Sequence, residues 1–180
     1  MTFDEVQKRP VDHLILGGPQ ELVCEFEGIL HPYLRERVAA RLSVMVTASP
    51  EEVRQAALGV EGEVERRQEA TLVSRLRDAV GSGNDGVAGL ETTLRALVER
   101  RVDLLLVSEG FEAPGWRCPS CRFIALLGRG CPVCGASMEL VDDVVEQAVE
   151  EALTNKTRVQ IVRENADLDV MGRIGALLRF

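Results

Sequence analysis

The feature that most constrains this chain is two closely spaced pairs of cysteines. They read Cys118-Pro119-Ser120-Cys121 and Cys131-Pro132-Val133-Cys134, with nine residues between the pairs. Two turns of this kind place four thiolates around one ion, and Zn²⁺ prefers four such ligands in a tetrahedral arrangement. The spacing therefore predicts a structural metal site. It also predicts that residues 115–138 form a small module whose folding depends on its metal.

Other uses of these cysteines fit the sequence less well. Iron remains the alternative to zinc, because a knuckle of this type accepts either ion. Two disulfides suit a secreted chain, but the N-terminus shows no signal-peptide pattern. A redox CxxC normally stands alone, and a catalytic zinc keeps an open position, usually with histidine or water, whereas His13 and His31 lie far upstream. Structural zinc is thus expected, and the fifth cysteine, Cys24, is expected to be a buried core thiol.

The charge balance argues against a chain that wraps nucleic acid over its whole surface. The net charge is −8, and phosphate binding needs clustered lysine or arginine. One local basic patch lies inside the cysteine module, where Arg117, Arg122 and Arg129 occur with no acidic residue between Trp116 and Ala136. These arginines either offset the negative charge of a Zn(Cys)₄ centre or contact RNA. The sequence leaves both interpretations open.

The sequence offers no catalytic constellation and no membrane span. No apolar run approaches the ~20 residues that a span needs, and thiols grouped for metal favour a reducing cytoplasm. The segment Gly17-Gly18-Pro19-Gln20 lacks the Lys-Ser/Thr of a phosphate loop. Ser108 follows an apolar run, but the flanking glycines of a nucleophile elbow are missing. We therefore expect no enzymatic activity from these residues.

Hydrophobic periodicity predicts an α/β protein with two parts. The expected elements of the first part are a strand at 13–16, a helix from Pro19, a short helix over 33–40, a strand over 42–46 and a long helix from Pro50 towards Val80. After a glycine-rich turn, the second part is expected to contain a helix at 90–98, a strand at 102–107, the cysteine module, an acidic helix at 141–152, a strand at 157–162 and a closing strand at 172–180.

Several segments, taken in order, resemble the archaeal and eukaryotic class-1 peptide chain release factor superfamily, which includes Pelota and bacterial release-factor-like proteins. The best match is the helix at 89–97 followed by the strand at 102–109. The other matching segments are 13–18, 66–80, the double CPxC insert and 172–180. The resemblance covers the chain from His13 to its end.

The resemblance implies both a fold and a function. Residues 66–180 would form a three-layer α-β-α sandwich, similar to a ribosomal kink-turn-binding protein, with a zinc ribbon inserted at 115–138. Residues 1–65 would be the C-terminal part of an RNase H-like middle domain. The implied function is that of a ribosome-associated, release-factor-like protein in translation stress, hibernation or rescue. Its implied partners are the ribosome, a translational GTPase, and rRNA or tRNA.

Two departures from the superfamily pattern qualify this resemblance. The Gly-Gly-Gln motif of peptidyl-tRNA hydrolysis is absent, since a proline interrupts Gly17-Gly18-Pro19-Gln20, and the codon-reading domain is absent too. We therefore expect a C-terminal fragment or truncated paralogue that acts by occupancy. Half a sheet exposes edges and apolar faces, which predicts self-association or poor order before Pro50. The alternatives are a zinc-ribbon RNA-binding module without a ribosome role, and a hydrolase whose catalytic loop lies outside this sequence.

Overall fold

The computed structural model describes residues 13–179, which divide into two compact units with the boundary between Gln68 and Glu69. This boundary lies inside one long helix. Residues 1–12 and Phe180, which the sequence analysis placed in the first domain and in the closing strand, lie outside the described residues. The identities proposed for 1–65 and 66–180 as middle and C-terminal domains stay predictions. Within residues 13–179, no helix is long and apolar enough to cross a membrane.

The first unit contains a small parallel sheet and its crossover connection. Its elements, in chain order, are β1 (Leu14–Gly18), α1 (Gln20–Ile29), α2 (Pro32–Arg35), β2 (Val38–Ser43) and the first part of α3 (Pro50–Ser82). Strands β1 and β2 pair in parallel, with Leu14 opposite Val38. A parallel pair requires a crossover connection, and helices α1 and α2 supply it here.

Three expectations for this unit are wrong. The helix predicted over 33–40 ends at Arg35, and the strand predicted over 42–46 begins earlier, at Val38. Helix propensity is a weak preference that tertiary pairing overrides, and residues 38–40 pair with β1 instead. Cys24, expected in the core, is exposed. Its neighbour Val23 is the buried residue of α1, and adjacent helical positions point about 100° apart.

The second unit is built on a four-stranded mixed sheet with the order β3-β9-β4-β8. These strands are β3 (Gly86–Ala88), β4 (Val102–Ser108), β8 (Arg158–Val162) and β9 (Ile174–Leu178). Strands β4 and β8 are parallel, whereas β9 runs antiparallel to both β3 and β4. The predicted α/β class is confirmed.

Helices cover both faces of this sheet. On one face, α4 (Leu90–Val98) and α5 (Val144–Thr154) share a buried cluster with the sheet residues Leu105, Val107 and Ile174. On the other face, the end of α3 and α6 (Ala166–Val170) pack with Leu104 and Leu106. Alternate residues of β4 thus enter opposite core layers, which explains why this strand reads as a continuous apolar run.

One glycine sets how closely the long helix packs on the sheet. A side chain at Gly175 in β9 would place its Cβ atom 2.6 Å from Leu76 of α3. Both positions are buried, Leu76 completely. The sheet therefore accepts α3 only because position 175 carries no side chain.

Candidate metal centre

The cysteine module is a small antiparallel sheet inserted between β4 and α5. Its strands are β5 (Gly115–Arg117), β6 (Ile124–Ala125) and β7 (Glu139–Val141), in the order β6-β5-β7. The two cysteine pairs lie in the turns between these strands. The first pair joins β5 to β6, and the second lies in the longer connection from β6 to β7.

The first cysteine turn is closed by two backbone hydrogen bonds. The N–H of Cys118 donates to the carbonyl of Phe123 at 2.8 Å, and the N–H of Arg122 donates to the carbonyl of Cys118 at 2.9 Å. Arg122 adopts a left-handed backbone with φ of 62°. An α-turn that ends in a left-handed residue thus reverses the chain at the cysteines.

The second cysteine turn repeats this arrangement. The N–H of Cys131 donates to Ala136 at 2.8 Å, and the N–H of Gly135 donates to Cys131 at 2.9 Å. The left-handed position is now glycine, with φ of 75°. The two turns are therefore matched knuckles that differ in the residue following their second cysteine, which is Arg122 in one and Gly135 in the other.

The structure brings all four predicted ligands together. Their Sγ atoms lie within 4.8 Å of one another. Cys118 and Cys134 are separated by 3.4 Å, and so are Cys121 and Cys131. A tetrahedral ion with metal–sulfur bonds of about 2.3 Å needs sulfurs about 3.8 Å apart. The donor set and its spacing therefore fit a single thiolate-bound ion.

The cluster rests on a small apolar core of its own. Cys118 and Cys131 are buried together with Met138, whereas Cys121 and Cys134 are exposed. Trp116 and Phe123 pack against this group. The remaining partly buried members are Ala125 and Ala136. The module thus has one protected side and one side open to solvent.

Hydrogen bonds make the two sulfurs of the first knuckle unequal. The backbone N–H of Cys121 donates to the Cys118 sulfur, and this is the main reason why the pKa of Cys118 falls to about 6. The backbone N–H of Phe123 lowers the pKa of Cys121, but burial and the neighbouring thiols outweigh it and raise that pKa to about 12. One sulfur of the knuckle therefore ionises readily, while the other retains its proton.

The second knuckle shows the same inequality. Burial raises the pKa of Cys131, but the N–H groups of Cys134 and Val133 overcome it, so that the pKa is lowered. The N–H of Ala136 lowers the pKa of Cys134, while the Cys118 thiol and burial raise it overall. Four thiolates cannot stand together without a cation, and a divalent ion would displace the remaining protons.

Comparison with known proteins gives two curated relatives, while no protein-family model matches. The chain is 32% identical over 130 residues to peptide chain release factor subunit 1 of Thermoplasma acidophilum, a match that covers 63% of this chain and 31% of that protein. It is 29% identical to subunit 1-1 of Methanosarcina acetivorans, over 99% of this chain and 49% of the relative. The chain therefore spans half or less of the length of these relatives.

Solved structures similar to this chain come from the same group of proteins as these relatives. The C-terminal domain of the Methanosarcina mazei release factor superposes with a TM-score of 0.51 and 22% identity, covering 75% of this chain and 98% of that domain. In sequence and fold the chain is similar to class-1 release factors and Pelota. An archaeal Pelota described as ribosome-bound with ABCE1 superposes with a TM-score of 0.56 and 17% identity, covering 98% of this chain and 46% of Pelota. These two structures establish the shared fold.

In this release-factor relative, the three candidate arginines do not all lie together. Arg117 and Arg122 line a small cleft against α5, whose wall includes Glu150 and Glu151. Arg129 lies outside that cleft, exposed in the loop between β6 and β7. The acidic wall favours a local charge-balancing role for the first two arginines. RNA contact by these residues stays a prediction.

Ser108, considered above as a nucleophile, serves as a link between elements of this release-factor-like fold. Its hydroxyl is buried and donates to a carboxylate oxygen of Asp169 at 2.9 Å. The same carboxylate lies 3.6 Å from the guanidinium of Arg173. The serine thus ties the end of β4 to helix α6.

Sequence reasoning missed the residues that attach the module to the sandwich. A carboxylate oxygen of Asp143 accepts from the N–H of Val145, which caps α5, and from the N–H of Ala113 at 3.3 Å. A side chain at Gly115 would approach Val144 to 2.6 Å. An aspartate just before a helical apolar pattern signals an N-cap, but its second partner, 30 residues away, leaves no trace in the sequence.

Proposed function

We propose that this chain is a cytoplasmic, ribosome-associated, release-factor-like protein that acts in translation stress, hibernation or rescue. The observation that carries the proposal is the 32% identity to an archaeal release factor over 130 residues, joined to the release-factor C-terminal fold. In this proposal the chain acts by binding the ribosome and a translational GTPase. The ribosome-bound state described for archaeal Pelota is a precedent.

In this proposal the residues of this chain do not catalyse hydrolysis of peptidyl-tRNA. The sequence Gly17-Gly18-Pro19-Gln20 lies where β1 ends and α1 begins, and a proline separates the glycines from the glutamine. Release of peptide from peptidyl-tRNA on programmed ribosomes measures this directly. We expect no release above the level without added factor, and release by the 180-residue chain would contradict occupancy as the mechanism.

We propose that Zn²⁺ is the ion held by Cys118, Cys121, Cys131 and Cys134. The ion would supply a crosslink between the two knuckles, and no chemistry on a substrate. Elemental analysis of protein purified without added metal tests this. About one zinc per chain is the expected result, one iron per chain would change the identity of the ion, and neither metal would overturn the assignment.

Co-sedimentation with ribosomes tests the main proposal. The chain is incubated with purified ribosomes of its source organism at moderate salt and centrifuged through a sucrose cushion. We expect saturable pelleting near one chain per ribosome. Pelleting that never rises above the signal without ribosomes would contradict ribosome association. Adding candidate translational GTPases to the same assay tests the second partner.

A matched set of variants separates ribosome recognition from general RNA binding. The triple substitution Arg117→Ser, Arg122→Ser, Arg129→Ser removes the basic patch, and Arg100→Ser with Arg179→Ser removes charge elsewhere. If the chain is a zinc-ribbon RNA-binding module, only the first variant loses affinity for both ribosomes and naked RNA, with a shallower salt dependence. If the release-factor-like proposal holds, binding to ribosomes exceeds binding to naked RNA.

A further inference from the structure

Two of the four cysteines in the cluster are exposed residues, and two are buried. Cys121 and Cys134 are exposed, whereas Cys118 and Cys131 are buried. The sulfur of each exposed cysteine lies 3.4 Å from the sulfur of a buried cysteine in the opposite knuckle, which pairs Cys121 with Cys131 and Cys134 with Cys118. This pairing of an accessible with a protected thiol is the arrangement that reversible thiol oxidation requires.

We propose that Cys121 and Cys134 are sites of oxidation by peroxides, and that oxidation ends in two disulfides between the knuckles, Cys121–Cys131 and Cys118–Cys134. The bound metal would leave as the disulfides form. The proposal concerns the thiols themselves, so it stands apart from ribosome association.

The chemistry balances with peroxide as the only oxidant. In the metal-bound cluster Cys121 would be a thiolate, because a bound metal displaces its proton. This thiolate attacks one peroxide oxygen, the O–O bond breaks, hydroxide leaves, and the sulfur becomes a sulfenic acid. The thiolate of Cys131 then attacks that sulfur, the S–S bond forms, and a second hydroxide leaves. Each peroxide thus takes two electrons from one pair of thiolates. Cys134 and Cys118 repeat the sequence with a second peroxide.

The geometry favours bonds between knuckles over bonds within one knuckle. The sulfurs of Cys118 and Cys131 accept hydrogen bonds from the backbone N–H groups of their own turns, and each lies 3.4 Å from a sulfur of the opposite knuckle. A disulfide requires about 2.05 Å between its sulfurs. The two sulfurs of each pair, now 3.4 Å apart, therefore have to move only a short distance towards each other. Because the buried partner is close, its sulfur reacts with the sulfenic acid to form a disulfide before peroxide can oxidise the sulfenic acid further.

Cys24 provides both a complication and an internal standard. It is exposed on α1, in the first unit, and is not a member of the cysteine cluster. The linkage experiment therefore uses the Cys24→Ser background, which prevents bonds between chains through this thiol. In the unsubstituted chain, the peroxide dose that oxidises Cys24 then shows how much oxidant an exposed thiol outside the cluster requires.

Tryptic mapping distinguishes the two disulfide patterns. Cleavage after Arg117, Arg122 and Arg129 places Cys118 and Cys121 in one peptide and Cys131 and Cys134 in another. Protein treated with hydrogen peroxide is alkylated, digested without reductant and analysed by mass spectrometry. We expect the two peptides to be joined, with loss of four thiols and of one metal per chain, reversed by a dithiol with added zinc.

The substitution Cys121→Ser assigns the pairs. We expect the Cys118–Cys134 bond to form while Cys131 stays alkylatable, and Cys134→Ser should give the mirror result. Separate peptides that each carry an internal disulfide would overturn the proposal. So would four intact cluster thiols at a peroxide dose that fully oxidises Cys24. The linkage map of the Cys24→Ser protein decides the question even if a cluster variant does not fold.

Discussion

At the scale of single residues, the two knuckles differ in backbone strain. Arg122 and Gly135 occupy equivalent left-handed positions, with φ of 62° and 75°. Left-handed backbone angles cost a residue with a Cβ atom about 1–2 kcal/mol of conformational free energy, whereas glycine adopts them without this cost. The first knuckle therefore holds its ligands at a conformational cost that the second avoids.

This difference gives a paired prediction for the stability of the module. Arg122→Gly should raise its free energy of unfolding by up to about 1 kcal/mol, since the relieved strain exceeds the greater freedom of glycine in the unfolded chain. Gly135→Ala should lower it by about 1 kcal/mol. Metal loss during thermal unfolding measures both, and Arg122→Ala, which keeps the strain but removes the charge, should show no gain.

The unequal sulfurs predict how metal affinity depends on pH. Cys121, with a pKa of about 12, and Cys134, whose pKa is also raised, carry protons near neutrality that the ion must displace. Affinity should therefore fall as the pH falls, by at least about a hundredfold per pH unit, because the ion displaces at least two protons. Competition with a chelator of known proton affinity between pH 6 and 8 measures this slope, and a slope of zero would contradict it.

At the scale of elements, the cysteine module and the sandwich share one buried residue. Ile124 of β6 belongs to the core cluster formed by α4, α5 and the sheet. The remaining buried members of the module, Cys118, Cys131 and Met138, form a separate cluster. Leu126 and Val141 of the module also pack against the core cluster and are partly buried. Unfolding of the module should therefore cost the sandwich the burial of a few aliphatic side chains, each worth at most roughly 1.5–3 kcal/mol.

Loss of a ligand tests this separation. Cys131→Ser should abolish tight metal binding and expose the amides of residues 115–141 to rapid hydrogen exchange, while β4 and β9 keep their protection. Hydrogen exchange read by mass spectrometry reports both regions, and Cys24→Ser serves as the matched control. Loss of protection throughout β4 would show that the module and the sandwich unfold together.

The attachment of the module to α5 gives a second prediction for an element. Asp143→Ala removes the helix cap and the bond to Ala113, so it should lower the free energy of unfolding by about 1–2 kcal/mol. Asp143→Asn should retain most of the stability, because asparagine caps equally well. Chemical denaturation measures both, with the exposed Asp142→Ala as the control expected to change little.

The elements also show how far a sequence determines such a fold. Helices α4 and α5 are predicted because each carries a full periodic pattern. Strand β4 is predicted because it is a continuous apolar run, and the four ligands follow from their spacing. Residues 38–40 are mispredicted because their partner, β1, lies more than 20 residues away. The exposure of Cys24 depends on which face of α1 packs. The strain at Arg122 and the second bond of Asp143 arise from tertiary geometry that local pattern does not encode.

At the scale of the whole molecule, the first unit exposes an apolar groove. Its lining includes Leu22, Phe26 and Ile29 of α1 together with Met45 and Val46. Ile29 is 81% exposed and Met45 75%. Within residues 13–179, β1 and β2 pair only with each other, so both edges of their sheet stand open. Such edges and patches favour association.

The predicted self-association follows from this surface. The 180-residue chain should form dimers or larger species at concentrations of tens of micromolar, and Phe26→Lys with Ile29→Lys should return it to the monomer. Light scattering after size-exclusion chromatography measures the mass. Val170→Lys, at an apolar position of the second unit that is 89% exposed, should leave the mass unchanged. A monomer at every concentration would show the prediction wrong.

The pairing of β5 with β7 has a consequence for how this fold can change. Gly115 and Val141 lie opposite each other in that pair, so the chain leaves the sandwich and returns to it at neighbouring points. A tight hairpin could join these two positions and leave the path of the surrounding strands unaltered. Insertions or deletions can therefore add, lengthen or remove the cysteine module while the fold of the sandwich is kept.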